Sequence, residues 1–214
     1  MFFAQKEPKS AKEVFQLYFE AFVNEKPDAM AKLNEYLKPI NDNEDYYTDT
    51  NIDMLIRMYI ASVEVGFFDG MNKKVAQECH TDFEKYMHAH LHNVKNATYK
   101  ITKLKTARND WDKSQKITTV HFTVFVKTST VETLTEKPAE EITIKEMKYA
   151  LKKDTEGLMN PNIEMEFEMS FDLYQNKKDG NIYYSNLDPA DFKLDLINVY
   201  FGVEDEMETD NELK

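Results

Sequence analysis

The chain has 214 residues, 42% of them hydrophobic and 31% charged, which suits one substantial core and a single domain. Its formal net charge of -12 excludes nucleic acid as an expected partner and disfavours an anionic membrane surface, while a basic protein or a cationic ligand stays permitted. A single cysteine, Cys79, excludes an internal disulfide and any multi-cysteine zinc site, and 5 Gly leave little room for a glycine-rich cofactor loop, so no cofactor is expected.

Residues 1–9 read as a flexible segment. Residues 1–5, "MFFAQ", fit the remnant of a signal peptide, which would place the protein in the periplasm or outside the cell. With no basic leader and no full apolar region, the cytoplasm is the expected location. No apolar run reaches the ~18 residues of a membrane span.

Helices come next. Ser10 and Glu13 form the Ser-x-x-Glu capping-box pattern ahead of Val14, Leu17, Tyr18, Ala21 and Phe22 at helical spacing. Pro27 suits the first turn of a second helix bearing Met30, Leu33 and Leu37, and the polar "INDNEDYYTDTN" reads as a loop. Ile52, Leu55, Ile56, Tyr59, Ile60 and Val63 predict a third helix, interrupted at Asp69-Gly70. A fourth, over about 71–93, carries the apolar line Val75, Cys79, Phe83, Met87, His90 or Leu91, then Val94.

From "ATYKITKLKTARND" onward the period becomes two. Val120, Phe122, Val124 and Val126 lie on one side of a strand, and "NDWDKSQ" before it reads as a hairpin loop. In "NIEMEFEMSFDLY" Ile163, Met165, Phe167, Met169, Phe171 and Leu173 face one way; Glu164, Glu166, Glu168, Ser170, Asp172 and Tyr174 face the other. Asp179-Gly180 signals a tight turn into a partner strand, "IYYSNL". Residues 132–162 fit either a bulged strand or a short helix; with strands on both sides, strand is the expectation. Asp188-Pro189 opens a closing helix over 189–201 that buries Phe192, Leu196, Ile197, Tyr200 and Phe201, and Gly202 stops it. Residues 203–214 form an acidic tail.

This order predicts a single α+β domain over 10–202, helical over 10–94 and mainly β over 97–187. N-terminal helices should pack on one face of a curved antiparallel meander sheet, with a short C-terminal helix. The N-terminal helices, the helix-to-strand passage "HLHNVKNATYKITKLK" and the two long alternating strands resemble the nuclear transport factor two-like superfamily, also called cystatin-like or ketosteroid isomerase-like, over residues 10–187. The resemblance implies a cone between sheet and helices in which Asp, Tyr or His works as a general acid or base. His121, Tyr59, Tyr99, Asp172 and Tyr174 are the residues that can line it, with Asp172, His121 and Tyr59 the catalytic candidates.

Two further sets carry chemistry. On a strand, His88, His90 and His92 would project together as three metal ligands. Helical spacing splits them: His90 joins the apolar line, and His80, Glu84, His88 and His92 form an outer stripe, leaving His88, His92 and Glu84 as the metal candidates. On the third strand, Glu164, Glu166 and Glu168 with Asp172 crowd like charges on one face. That is tolerable in water and makes a docking surface for a basic protein. "NAT" at Asn96 fits a glycosylation sequon. No nucleophile elbow and no phosphate loop is present. The expected function is a non-enzymatic binding protein, such as a bacterial inhibitor or immunity protein that neutralises a basic toxin. The alternative is a cofactor-independent isomerase-like enzyme or a carrier of a small apolar ligand.

Overall fold

Ser10 starts the first helix as its sequence predicts: its hydroxyl accepts from the Glu13 amide at 3.2 Å, and the Glu13 carboxylate accepts from the Ser10 amide at 3.0 Å. The computed structural model describes residues 10–40, 49–130, 137–179, 182–186 and 189–201. Helix α1 (Ala11–Tyr18) runs without a break into a π-helical turn, Phe19–Val23. That turn buries Phe19, Ala21, Phe22 and Val23. The side-chain amide of Asn24 then donates to the carbonyls of Lys95 (2.8 Å) and Ala97 (3.0 Å), tying this end to the fourth helix.

Helix α2 (Pro27–Leu37) has Pro27 in its first turn and buries Met30, Leu33 and Leu37. Helix α3 (Asp49–Phe67) buries Ile60 and half-buries Ile56, Tyr59 and Val63, while Met54, Met58 and Val65 stay exposed. The side chains of Ile52 and Leu55, and residues 41–48 of the predicted loop, lie outside the described residues. Gly70, at φ +74°, turns the chain into α4 (Lys73–Lys95), where Val75, Cys79, Phe83, Met87, His90, Leu91 and Val94 are all buried.

The sheet is a curved antiparallel meander in the order β1 (Thr98–Arg108), β2 (Gln115–Thr128), β3 (Ile163–Asn176), β4 (Tyr183–Tyr184). Among the described residues the predicted return strand "IYYSNL" contributes only those two tyrosines; its Leu187 and Gly180 of the predicted turn lie outside them. On the inner face Val120, Phe122, Val124 and Val126 of β2 join Phe171 and Leu173 of β3, and Phe15 of α1 packs into their midst. Trp111 stands at the tip of the β1–β2 hairpin, 98% exposed. Strand β1 is bulged between Ile101 and Lys103, where Thr102 has no partner on β2.

The expectation of a strand within 132–162 is corrected. Residues 144–159 form helix α5 (Ile144–Met159), inserted between β2 and β3; residues 131–136 lie outside the described ones. The cause is a second capping box, Thr143 with Glu146, followed by Met147, Ala150, Leu151, Asp154 and Leu158 buried at helical spacing. Helix α5 lies along α4, and the Asn93 amide donates to the Leu158 carbonyl at 3.1 Å. The closing helix α6 (Pro189–Phe201) buries Phe192, Leu196, Ile197 and Tyr200. The predicted flexible segment 1–9, Gly202 and the acidic tail lie outside the described residues. The protein is thus an α+β domain with helices on one face of its sheet and a helix after it. Among the described residues no helix is long and apolar enough to cross a membrane.

Candidate functional site

The histidines separate as helical spacing predicts. His90 is buried; its Nδ1 hydrogen-bonds the Tyr200 hydroxyl at 2.7 Å, and burial pushes its pKa down to about 4. His88 and His92 are exposed, and the Asn96 side-chain amide reaches His92 Nε2 at 3.1 Å. Glu84 points to His80 rather than His88: His80 Nε2 lies 3.5 Å from Glu84 Oε1, and its Nδ1 lies 2.6 Å from Glu64 Oε1 on α3. The hydrogen bond to Glu64 raises the His80 pKa. Among the described residues no group of three or more His, Cys, Asp or Glu side chains is placed to hold a metal ion.

The five candidates for a catalytic cone are not brought together. Tyr99 faces inward, 5.1 Å from Phe15 and 4.5 Å from Phe19 between ring centroids. Tyr59 stands on α3 beside Phe201, its hydroxyl buried without a hydrogen-bond partner among the described residues, and burial raises its pKa. His121, Asp172 and Tyr174 share the outer face of the sheet, with Asp172 accepting a 2.6 Å hydrogen bond from the Thr119 hydroxyl. The space between α1, α6 and the sheet, where the resemblance expects a cavity, is occupied by Phe15, Phe122, Phe171 and Phe192. Neighbouring ring centroids there are 4.6–6.4 Å apart.

The outer sheet face is the one extended polar surface that these strands build. Glu164, Glu166 and Glu168 are exposed along β3, and Asp172 continues their row, half-buried. The β2 row beside it holds Ile117, Thr119, His121, Thr123 and Phe125, all half-buried. On β1 the partners of that row are Thr98, Lys100, Lys103, Lys105 and Ala107. Lys100, Lys103 and Lys105 therefore form a cationic row on the same face, because the bulge at Thr102 shifts the alternation by one residue. Lys103, Lys105, His121 and Glu168 line an open groove of about 420 Å³ there, and His121 Nε2 is buried without a hydrogen-bond partner among the described residues.

The lysine row escaped the sequence reading. Its signal was present: Ile101 and Leu104 are three apart inside a strand, a spacing that needs one extra residue if both are to face the core. No protein-family model matches the sequence, and no curated protein or solved structure matches it either.

Proposed function

We propose that this chain is a non-enzymatic binding protein that docks a basic protein partner on the open face of its sheet, as an inhibitor or immunity protein does with a basic toxin. The observation that carries this reading is the row Glu164, Glu166 and Glu168. These carboxylates are exposed and make no ion pair among the described residues. Their mutual repulsion is a standing cost that a cationic partner would remove. The net charge of -12 adds a long-range field that speeds encounter with such a partner. The isomerase-like or carrier alternative draws no support from the geometry, since aromatic rings fill the expected cone and its carboxylate candidate, Asp172, faces away from it.

The test is binding of the purified chain to the basic products of genes flanking its own, measured by biolayer interferometry. A saturable complex is expected, weakened by salt because exposed charges are screened. Reversal of all three glutamates to lysine should slow association on the order of 10- to 1,000-fold. Equal binding by the triple variant, or no binding to any such product, would sink the reading.

A further inference from the structure

The two charge rows of the outer face are in register. Read across the strands, the rungs are Lys100–Thr123–Glu168, Lys103–His121–Ser170 and Lys105–Thr119–Asp172. Each runs from a cation on β1 to an anion or a hydroxyl on β3. The rows stand two strand spacings apart, roughly 9.6 Å, so they do not neutralise one another within the chain. None of the three lysines makes an ion pair among the described residues.

Two copies placed face to face can pair two of the lysines with two of the carboxylates, leaving Glu166 opposite Thr98. A two-fold axis lying across the strands stacks lysine on lysine. An axis along β2 instead carries β1 of each copy over β3 of the other and preserves the level along the strand. It sets Lys100 over Glu168 and Lys105 over Asp172 of the second copy, each contact occurring twice. Lys103 meets Ser170 between them. Ile117 and Phe125 of β2 lie along the axis and supply apolar contact, and packed sheets accept this aligned arrangement with a rotation of about 30°. Lys127 and Glu164 lie past the first residue of β1, outside the patch.

We propose that a second copy of this chain docks on the outer sheet face about a two-fold axis along β2, pairing the lysine row of each copy with the carboxylate row of the other. Three strands about 4.8 Å apart and 11 residues of β1 give a flat footprint on the order of 500 Å² per chain. That is at the small end of specific interfaces, so the dimer is concentration-dependent and salt-sensitive. It covers Glu166 and Glu168, two of the three carboxylates that a basic partner would use, so dimer and partner compete. The dimer stands or falls without that partner.

Sedimentation velocity of the full chain from about 1 μM to about 1 mM tests it. A monomer–dimer equilibrium is expected that shifts to monomer near 1 M salt, where the Debye length falls to about 3 Å. The charge-reversed variants Lys100→Glu/Lys105→Glu and Glu168→Lys/Asp172→Lys should each self-associate at least about 100-fold more weakly, because like charges then face each other. An equimolar mixture of the two should dimerise again, since every facing pair in the mixed dimer is once more opposite in charge. Because Asp172 holds a hydrogen bond from Thr119, the single changes Lys100→Glu and Glu168→Lys repeat the design without touching it, with circular dichroism checking their fold. A monomeric parent chain overturns the proposal. So do folded variants that dimerise like the parent, or a mixture that stays monomeric.

Discussion

The ring of His90 on α4 meets the hydroxyl of Tyr200 on α6 at 2.7 Å, across 110 residues of sequence, and the same hydroxyl lies 2.8 Å from Thr128 Oγ1 at the end of β2. Three elements close on one buried point. His90 Nε2 has no hydrogen-bond partner among the described residues, and the rings of Tyr86, Tyr200 and Phe201 stand 4.6–5.5 Å from the imidazole. A proton on this imidazole would place a charge among aromatic rings.

Acid should therefore loosen the closing helix. Burial lowers the folded pKa of His90 to about 4 from an ordinary 6.5. The unfolded chain then binds more protons between those values, and stability rises with pH across that window. The contribution is complete above about pH 6.5 and lost as pH falls toward 4. At about 1.4 kcal/mol per pKa unit it amounts to about 3 kcal/mol. Urea unfolding as a function of pH should show this slope in the parent and a flattened one in His90→Phe. Matching slopes would contradict the assignment.

Glu25 sits at φ +51° and accepts from two lysines, Lys95 at 2.7 Å and Lys193, whose side chain is buried. Burial alone would raise the Glu25 pKa, but the hydrogen bonds to Lys193 and Lys95 outweigh it and lower the value. Its contribution is therefore present above the ordinary 4.5 and lost as pH falls through the folded value. Glu25→Gln leaves the buried ammonium of Lys193 without this carboxylate and should cost about 3 kcal/mol. Adding Lys193→Met should recover most of that loss, and denaturant melts of the two variants decide it. A double variant less stable than Glu25→Gln would show that Lys193 matters mainly through its other contacts.

Gly157 on α5 presses against Ser129: a β-carbon added there would lie 2.8 Å from Ser129 Oγ. Alanine at a helical glycine ordinarily gains about 1 kcal/mol. Here overpacking should reverse the sign, making Gly157→Ala destabilising by about 1 kcal/mol. Ser129 Oγ is buried with no hydrogen-bond partner among the described residues, so Ser129→Ala should be close to neutral. In that background Gly157→Ala should become stabilising. Additive effects of the two changes in thermal melts would rule out the contact as the cause.

Much of this architecture was legible in the residues, and the exceptions have physical reasons. Strict alternation placed Glu164, Glu166 and Glu168 opposite Phe171 and Leu173, because a strand half in water leaves no other arrangement. The apolar line of α4 placed His90 inward for the same kind of reason. Helix α5 was misread because Ile142 and Ile144 alternate at its threshold, and the neighbouring strands outweighed the Thr143–Glu146 box that marks its start. The lysine row was missed because one unpaired residue, Thr102, reverses which side chains share a face, and pairing register is a property of two strands at once. The filled interior depends on how Phe15 and Phe192, far apart in the chain, meet at 6.4 Å between ring centroids.

The position of Trp111 has a spectroscopic consequence. It is the sole tryptophan of the chain and stands in water at a hairpin tip in the native state. Its emission should be that of a hydrated indole before and after denaturation, so tryptophan fluorescence should be nearly blind to folding here and the 12 tyrosines or the far-ultraviolet signal must follow it. The same blindness makes the indole a clean reporter of contact. A blue shift in a folded sample would mean that another surface has closed over the β1–β2 tip.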